Sequence, residues 1–275
     1  MPSSSQNILV VIGTGGIGLA TAHRLAPGRR LLIADKRTDQ LQKAADSLRQ
    51  AGHEPETLQV DITDRASVAK LAEKASQMGR LDAIVHTAGV SPVMAPATVI
   101  YDVDILGTGY LISEFLPFAS HGTSMVCVAS MAAQMASLSS MTPALENHFA
   151  TAETDKLIEH SDLDYELDSQ IAYGIAKKAN ILRVQTAASQ WGSKGARINT
   201  VSPGVIYTDM VRQELEGKVG DQLRHMLSVT PMKRIGTPDD VASAIAFLVG
   251  PESTFITGND LLVDGGISQA LRWST

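Results

Sequence analysis

Short apolar, β-branched runs recur along the chain and are separated by longer stretches in which apolar residues return every three or four positions. The runs predict strands at 8–12, 30–34, 57–60, 83–86, 124–129, 197–201 and 261–263. The longer stretches predict helices at 17–25, 38–50, 66–78, 105–118, 172–191 and 238–249. In 38–50, for example, Leu41, Ala44, Ala45 and Leu48 share one face, and Gly52 closes the helix. Strand and helix alternate, so the strands are expected to lie parallel, joined by right-handed crossovers with helices on both faces of the sheet. No linker or internal repeat interrupts the rhythm. The expected fold class is therefore α/β, a doubly wound parallel sheet in one domain over 1–275.

One segment departs from this pattern. Between Ala132 and Gln170 no strand is indicated, and 150–160 is its helical candidate. The acidic tract 162–168 alternates charge and lacks the glycine and glutamate that a calcium loop needs at its sixth and twelfth positions, so it reads as a solvated loop.

Composition narrows the class. Of 275 residues, 44% are apolar and 19% charged, as in a globular protein, and the net charge of -6 with no basic tract argues against a nucleic-acid partner. Cys127 is the single cysteine, so no disulfide forms within the chain and no metal site is expected. It sits in an apolar run and reads as a buried small hydrophobe. No apolar run reaches the length of a membrane span, and the polar start, 1–7, lacks the features of a signal peptide. The expectation is a cytoplasmic protein with no membrane partner.

Two local patterns carry chemistry. Gly13-Thr14-Gly15-Gly16-Ile17-Gly18 follows the first strand and opens a helix. In that context glycines let the backbone approach a pyrophosphate, and the helix N-terminus supplies unpaired N–H groups. Without a ligand the same residues would be only a glycine-rich turn. Asp35 ends the second strand seventeen positions after Gly18. A carboxylate there accepts bonds from the ribose hydroxyls of a dinucleotide and repels a 2′-phosphate, which favours NAD over NADP. Lys36 and Arg37 oppose that preference if they face the phosphate, and are a solvated loop if they do not.

In the second pattern, Tyr173 and Lys177 stand one helical turn apart. A phenol titrates near 10. An adjacent ammonium stabilises its phenolate and suits it to proton transfer between an alcohol and a carbonyl. An isolated Tyr-x-x-x-Lys pair is more often a surface feature, so its weight comes from its company. Ser130 follows the strand 124–129, at the carboxyl end where open α/β sheets bind ligands; its plain alternative is a turn or cap serine.

Taken in order and spacing, Gly13 to Gly18, Asp61-Ile62, Ala88-Gly89, Ala129-Ser130, Tyr173 to Lys177, Pro203-Gly204 with Thr208, and Asp264-Gly265-Gly266 resemble the short-chain dehydrogenase/reductase family over 8–267. The resemblance implies a Rossmann-like, seven-stranded sheet and hydride transfer between NAD(P) and a small carbonyl or alcohol substrate. It implies that Ser130 holds the substrate oxygen, that Tyr173 moves the proton, and that Lys177 binds the nicotinamide ribose. It places Asp61 and Ile62 at the adenine, and Ala88 and Gly89 along the cofactor cleft. Pro203, Gly204, Ile206 and Thr208 are placed at the nicotinamide end. It also implies a homodimer or homotetramer.

The chain departs from the family in several places, including a phosphate loop one residue shorter than the common form and a shorter stretch from Gly89 to Gly107. His86-Thr87-Ala88-Gly89 stands for Asn-Asn-Ala-Gly. Asp104 takes the place of the family's catalytic Asn; it reads either as a supporting catalytic residue near Lys177 or as the N-cap of a truncated helix. Ser130 and Tyr173 are 43 positions apart, much further than in the common branch, and the layout is similar to bacterial 3α-hydroxysteroid dehydrogenase/carbonyl reductases. The insertion at 132–170 is a substrate lid or a subunit contact. The substrate pocket is expected to draw on 91–94, 131–141 and an apolar flap containing Met210, Val211, Leu215, Val219, Leu223, Met226 and Leu227, whose alternative is ordinary helix packing. The rival functions are a non-catalytic dinucleotide-binding sensor or scaffold, and an epimerase or dehydratase on the same fold.

Overall fold

The computed structural model describes residues 7–136, 141–216 and 220–273. Seven strands form one parallel sheet: β1 (Asn7–Ile12), β2 (Arg30–Asp35), β3 (Glu56–Gln59), β4 (Arg80–His86), β5 (Ser124–Val128), β6 (Arg197–Pro203) and β7 (Asp260–Val263). Their order is β3-β2-β1-β4-β5-β6-β7. Along the chain, β1 to β3 build outward on one side, and β4 then returns to the other flank of β1. That reversal opens a crevice at the carboxyl ends of β1 and β4, where Thr87 and Ala88 N–H both donate to Ile12 O at 2.7 and 3.0 Å.

Alternation along β1 divides the core. Ile8, Val10 and Ile12 face α3 (Arg65–Met78), α5 (Thr108–Phe115) and α8 (Ser169–Gly192), in a layer that includes Leu71, Phe115 and Trp191. Leu9 and Val11 face α1 (Gly16–Leu25), α2 (Thr38–Gln50) and α11 (Pro238–Val249), with Leu25, Leu48 and Ile245. Both faces of the sheet are therefore covered, which explains why its strands read as continuous apolar runs.

The helix expected over 105–118 begins earlier. A short α4 (Ala97–Ile100) enters a π-helical turn, Tyr101–Gly107, which continues into α5. Pro96 precedes the first turn, where a missing N–H costs nothing. Asp104 thus lies inside a continuous helix, and its reading as an N-cap is corrected: the helix starts seven residues before it and is not truncated.

The insertion has its own order. α6 (Ala132–Ala136) precedes 137–140, which lie outside the described residues, and α7 (Pro143–Thr151) follows. The helical candidate at 150–160 is displaced to α7, because Thr142 caps Leu145 N at 3.1 Å and Pro143 takes the first helical position. Within the expected range lie only the last two residues of α7 and a 3₁₀ turn, Thr154–Lys156. Leu145, Phe149, Leu157 and Leu163 pack with Ile100, Tyr101, Ile175 and Ala179 in a separate cluster. Tyr101 Oη donates to Asp164 O at 3.0 Å. The insertion is therefore seated on α4, the π turn and α8, and among its described residues only those at its two ends, Ala132, Met135 and Gln170, line the cavity described below. The acidic tract is mostly exposed, and Asp168 from its end caps α8 through Gln170 N at 2.9 Å.

After β6 come α9 (Asp209–Glu216) and α10 (Gly220–Val229); α12 (Ile267–Trp273) ends the described chain. Val219 and the side chain of Met210 lie outside the described residues. Among the described residues no helix is long and apolar enough to cross a membrane.

Candidate active site

The glycine loop is shaped by what it must pass. Gly13 adopts φ +89°, and a Cβ there would stand 2.4 Å from Ala88 N; one on Gly18 would stand 1.9 Å from Gly13 O. Gly15 differs: a Cβ on it meets nothing within 4 Å, so the loop faces open space at that point. Gly15 is also the N-cap of α1 and supplies no side-chain cap, which leaves the first-turn N–H groups directed at that space. Open room and unpaired donors at a helix N-terminus fit the pyrophosphate of a dinucleotide.

The loop is held from β2 and α2. Thr14 donates from both N and Oγ1 to Asp35 Oδ2, at 2.7 and 2.9 Å, while Gln40 Nε2 donates to Thr14 O at 2.9 Å. Asp35 Oδ1 accepts from Arg37 N at 3.0 Å. Asp35 therefore fixes the loop from the end of β2. Neither Thr14 nor Gln40 stood out as a functional residue in the sequence; Thr14 was visible as the non-glycine second position of the motif, and Gln40 carried no signal.

Lys36 Nζ is paired with Asp61 Oδ2 at 2.7 Å, and Asp61 Oδ1 accepts from Thr63 N and Oγ1. Burial pulls the Asp61 carboxyl upward, but the bonds from Lys36 and Thr63 outweigh it and hold it below the usual carboxylate range. Ile62 is buried against Gly107, whose missing side chain leaves room for it: a Cβ on Gly107 would stand 2.8 Å from Ile62 Cγ1.

At the other end of the crevice, a cavity of about 480 Å³ collects most of the remaining candidates. Ser130, Tyr173 and Lys177 line it together with Ile17 and Gly89, and Pro203, Gly204, Ile206 and Thr208 close it from the β6 side. Gly16 lies beside this group, since a Cβ there would meet Thr208 Cγ2 at 3.1 Å. Ser130 is half-buried, and its Oγ accepts from Ala132 N at 3.1 Å, so it also starts α6. Lys177 Nζ stands 5.3 Å from the centre of the Tyr173 ring.

Lys177 and Asp104 are both buried, with Nζ and Oδ1 3.3 Å apart. Asp104 Oδ1 also accepts from Val90 N at 3.2 Å, while Oδ2 has no partner among the described residues. Gly89 makes the pair possible, because a Cβ on it would stand 2.6 Å from Asp104 Oδ1 and 3.1 Å from Lys177 Nζ. Burial would lower the Lys177 pKa, but the Asp104 carboxylate overrides it and holds the ammonium above the ordinary lysine value. Burial raises Asp104 in turn, with Lys177 and the Val90 N–H acting against it. We assign the ionised pair, because an unpaired buried ammonium would cost more than the two charges together.

His86 was noted in the sequence only as a departure from the family's Asn. It is fully buried, and its Nε2 lies 2.9 Å from Thr108 Oγ1. That hydroxyl donates to Asp104 O at 2.8 Å, so Nε2 carries the proton; Nδ1 has no partner among the described residues. Burial, then the Lys177 charge, push the imidazole down to about 3, and it is neutral. Burial likewise pushes the Cys127 thiol up to about 12, in keeping with an inert core residue.

Comparison with known proteins places this geometry. A family profile described as short chain dehydrogenase matches residues 6–142, and one described as Enoyl-(Acyl carrier protein) reductase matches 163–268. A short-chain dehydrogenase/reductase of Alternaria brassicicola, bsc3, is 37% identical over 262 residues, covering 95% of this chain and 96% of that one. The chain belongs to the short-chain dehydrogenase/reductase family. It is also 28% identical to the 3-alpha-hydroxysteroid dehydrogenase/carbonyl reductase of Comamonas testosteroni, over 97% of this chain and 98% of that protein. Among solved structures, the 3-alpha-hydroxysteroid dehydrogenase of Pseudomonas sp. B-0831, complexed with NADH, superposes with a TM-score of 0.78 at 26% identity, covering 98% and 99% of the two chains. This short-chain dehydrogenase/reductase is thus an oxidoreductase on a Rossmann-like fold, and its long insertion lies within a chain matched almost end to end by these relatives.

Proposed function

We propose that this enzyme interconverts a secondary alcohol and a ketone, with NAD(H) favoured over NADP(H). The observation that carries the reading is the presence of Ser130, Tyr173 and Lys177 around one cavity, with Lys177 Nζ 3.3 Å from Asp104 Oδ1. The open space at Gly15 and the bare N-terminus of α1 would hold the pyrophosphate, with Asp35 at the adenosine ribose. When bound, the nicotinamide supplies or accepts the hydride.

The chain's own residues manage the oxygen. Ser130 and Tyr173 donate hydrogen bonds to the carbonyl, whose oxygen becomes negative as reduction proceeds. Tyr173 delivers the proton in reduction and removes it in oxidation. Lys177 stabilises the phenolate left behind, and it lies close enough to the Tyr173 ring for its charge to act on that group. The NAD preference rests on charge: Asp35 disfavours a 2′-phosphate, and the pairing of Lys36 with Asp61 reduces its availability to bind one.

A ketone panel with NADH and NADPH tests this. Ketone-dependent NADH oxidation is expected, and Tyr173→Phe should lower turnover by about 10²–10⁴-fold without loss of NADH binding. NADH binding with no ketone turnover would support the sensor or scaffold instead, and full activity of Tyr173→Phe on a confirmed substrate would refute the mechanism.

A further inference from the structure

The cavity wall is unusual in how little polarity it offers beyond the reacting groups. Among the described residues that line it, Tyr173 and Lys177 are the only ionisable side chains. The rest is dominated by apolar groups, with Met131 just before the insertion, Ile171 from α8, Val211 from α9, and Leu223 and Met226 from α10. Beyond Ser130 and Tyr173 the wall carries three hydroxyls: Thr87 spends its proton on Gly13 O at 2.8 Å, Thr208 Oγ1 accepts from Val211 N at 3.3 Å, and the buried Ser91 Oγ has no partner among the described residues. Gln170 is the polar exception, and it is exposed.

The apolar character continues outward. Val93, Met135 and Ile171 line the cavity and are nonetheless 52%, 41% and 41% exposed. Large apolar side chains left open around a cavity are covered when an apolar ligand binds. A carboxylate or phosphate entering here would lose its water with no cation to meet it, since Lys177 is already paired with Asp104. A polyhydroxylated substrate would find side-chain partners for few of its hydroxyls, with only Ser91, Thr208 and Gln170 beyond the reacting groups among the described lining residues.

From these observations we propose that the substrate is a neutral, largely hydrocarbon secondary alcohol or ketone, ring-bearing or long-chain, whose reacting oxygen is its main polar anchor. The proposal rests on the redox reading above and adds the substrate class. Contact with the exposed apolar rim makes affinity grow with hydrocarbon size, while the unpaired cost of charge excludes acidic substrates of the same shape.

The test is NADH oxidation by the wild-type enzyme with cyclohexanone, decalone, erythrulose, and oxocyclohexanecarboxylic acid beside its methyl ester. The four additional ring carbons of decalone should raise kcat/KM on the order of a hundredfold over cyclohexanone. The ester should exceed the acid by at least about tenfold, and erythrulose should be the poorest substrate. Ile171→Lys, at an exposed position on the wall, should narrow or invert the ratio of ester to acid. An acid or erythrulose rate equal to that of decalone, with Tyr173→Phe still inactive, would overturn the substrate class and leave the redox reading standing. Absence of NADH oxidation with every ketone would remove both.

Discussion

Replacing Asp104 with Asn removes one negative charge from the buried pair while keeping a side chain of almost the same shape. The charges stand 3.3 Å apart. At an effective dielectric near 20 their attraction is about 5 kcal/mol. Desolvation of the two groups offsets much of that. Asn retains an oxygen that can accept from Val90 N and face Lys177, so a stability loss of about 2 kcal/mol is expected, less than the 3–5 kcal/mol typical when a buried partner is deleted outright. The kinetic consequence has a fixed sign. Loss of a nearby negative charge makes every neighbouring proton easier to remove, so Lys177 and Tyr173, titrating together, release their first proton at lower pH. In ketone reduction Tyr173 must be protonated, and the alkaline fall of kcat/KM should therefore move to lower pH. In alcohol oxidation the rising limb should move the same way. Profiles of kcat/KM against pH in both directions, with unfolding measured in parallel, check this. Superimposable profiles would mean that Asp104 is already neutral in the native protein, and a move to higher pH would contradict the electrostatics; either result refutes the ionised pair.

Other substitutions separate the roles of the loop and the core. Gly15→Ala has room for its Cβ and an ordinary φ of -68°, so it should fold with stability unchanged or raised by about 0.5 kcal/mol, while NADH binding measured by fluorescence titration weakens at least about tenfold. Asp35→Ala frees Thr14 and removes the charge proposed to meet the ribose; NADH affinity should fall and the ratio of kcat/KM for NADH over NADPH should narrow by about tenfold, and an unchanged ratio would exclude Asp35 from cofactor choice. Trp191→Ala empties the largest fully buried site on α8 and should cost about 3–5 kcal/mol, read from the urea midpoint.

The strands were legible because a sheet covered on both faces leaves each one apolar along its length, as in Leu31 to Ala34 of β2. The glycine loop and the Tyr173–Lys177 turn were legible because each lies within a few residues of sequence. Contacts that join distant segments were not. Thr14, Asp35 and Gln40 meet across 21 and 26 positions, and no local pattern announces that the acid ending β2 also clamps the loop. The helix through Asp104 was misread for a different reason. A period of 3.6 residues is the assumption behind every helical reading, and the π turn Tyr101–Gly107 breaks it by inserting a wider turn. Asp104, within that turn, is buried 3.3 Å from Lys177 of α8, where an N-cap had been one of two expectations.

One constraint on that residue was nonetheless available from charge alone. An acid embedded among Val103, Ile105 and Leu106 has either to end a helix or to be buried, and a buried carboxylate requires a buried cation. Among the described residues Lys177 is the only buried lysine or arginine, and Asp104 the only buried carboxylate. The lysine that Tyr173 needs as an ammonium is itself far from water, so burial alone would tend to discharge it. Where the family has a neutral Asn, this chain supplies a countercharge, and Gly89 leaves the space in which the two meet. The substitution therefore binds the protonation of Lys177 to the fold itself.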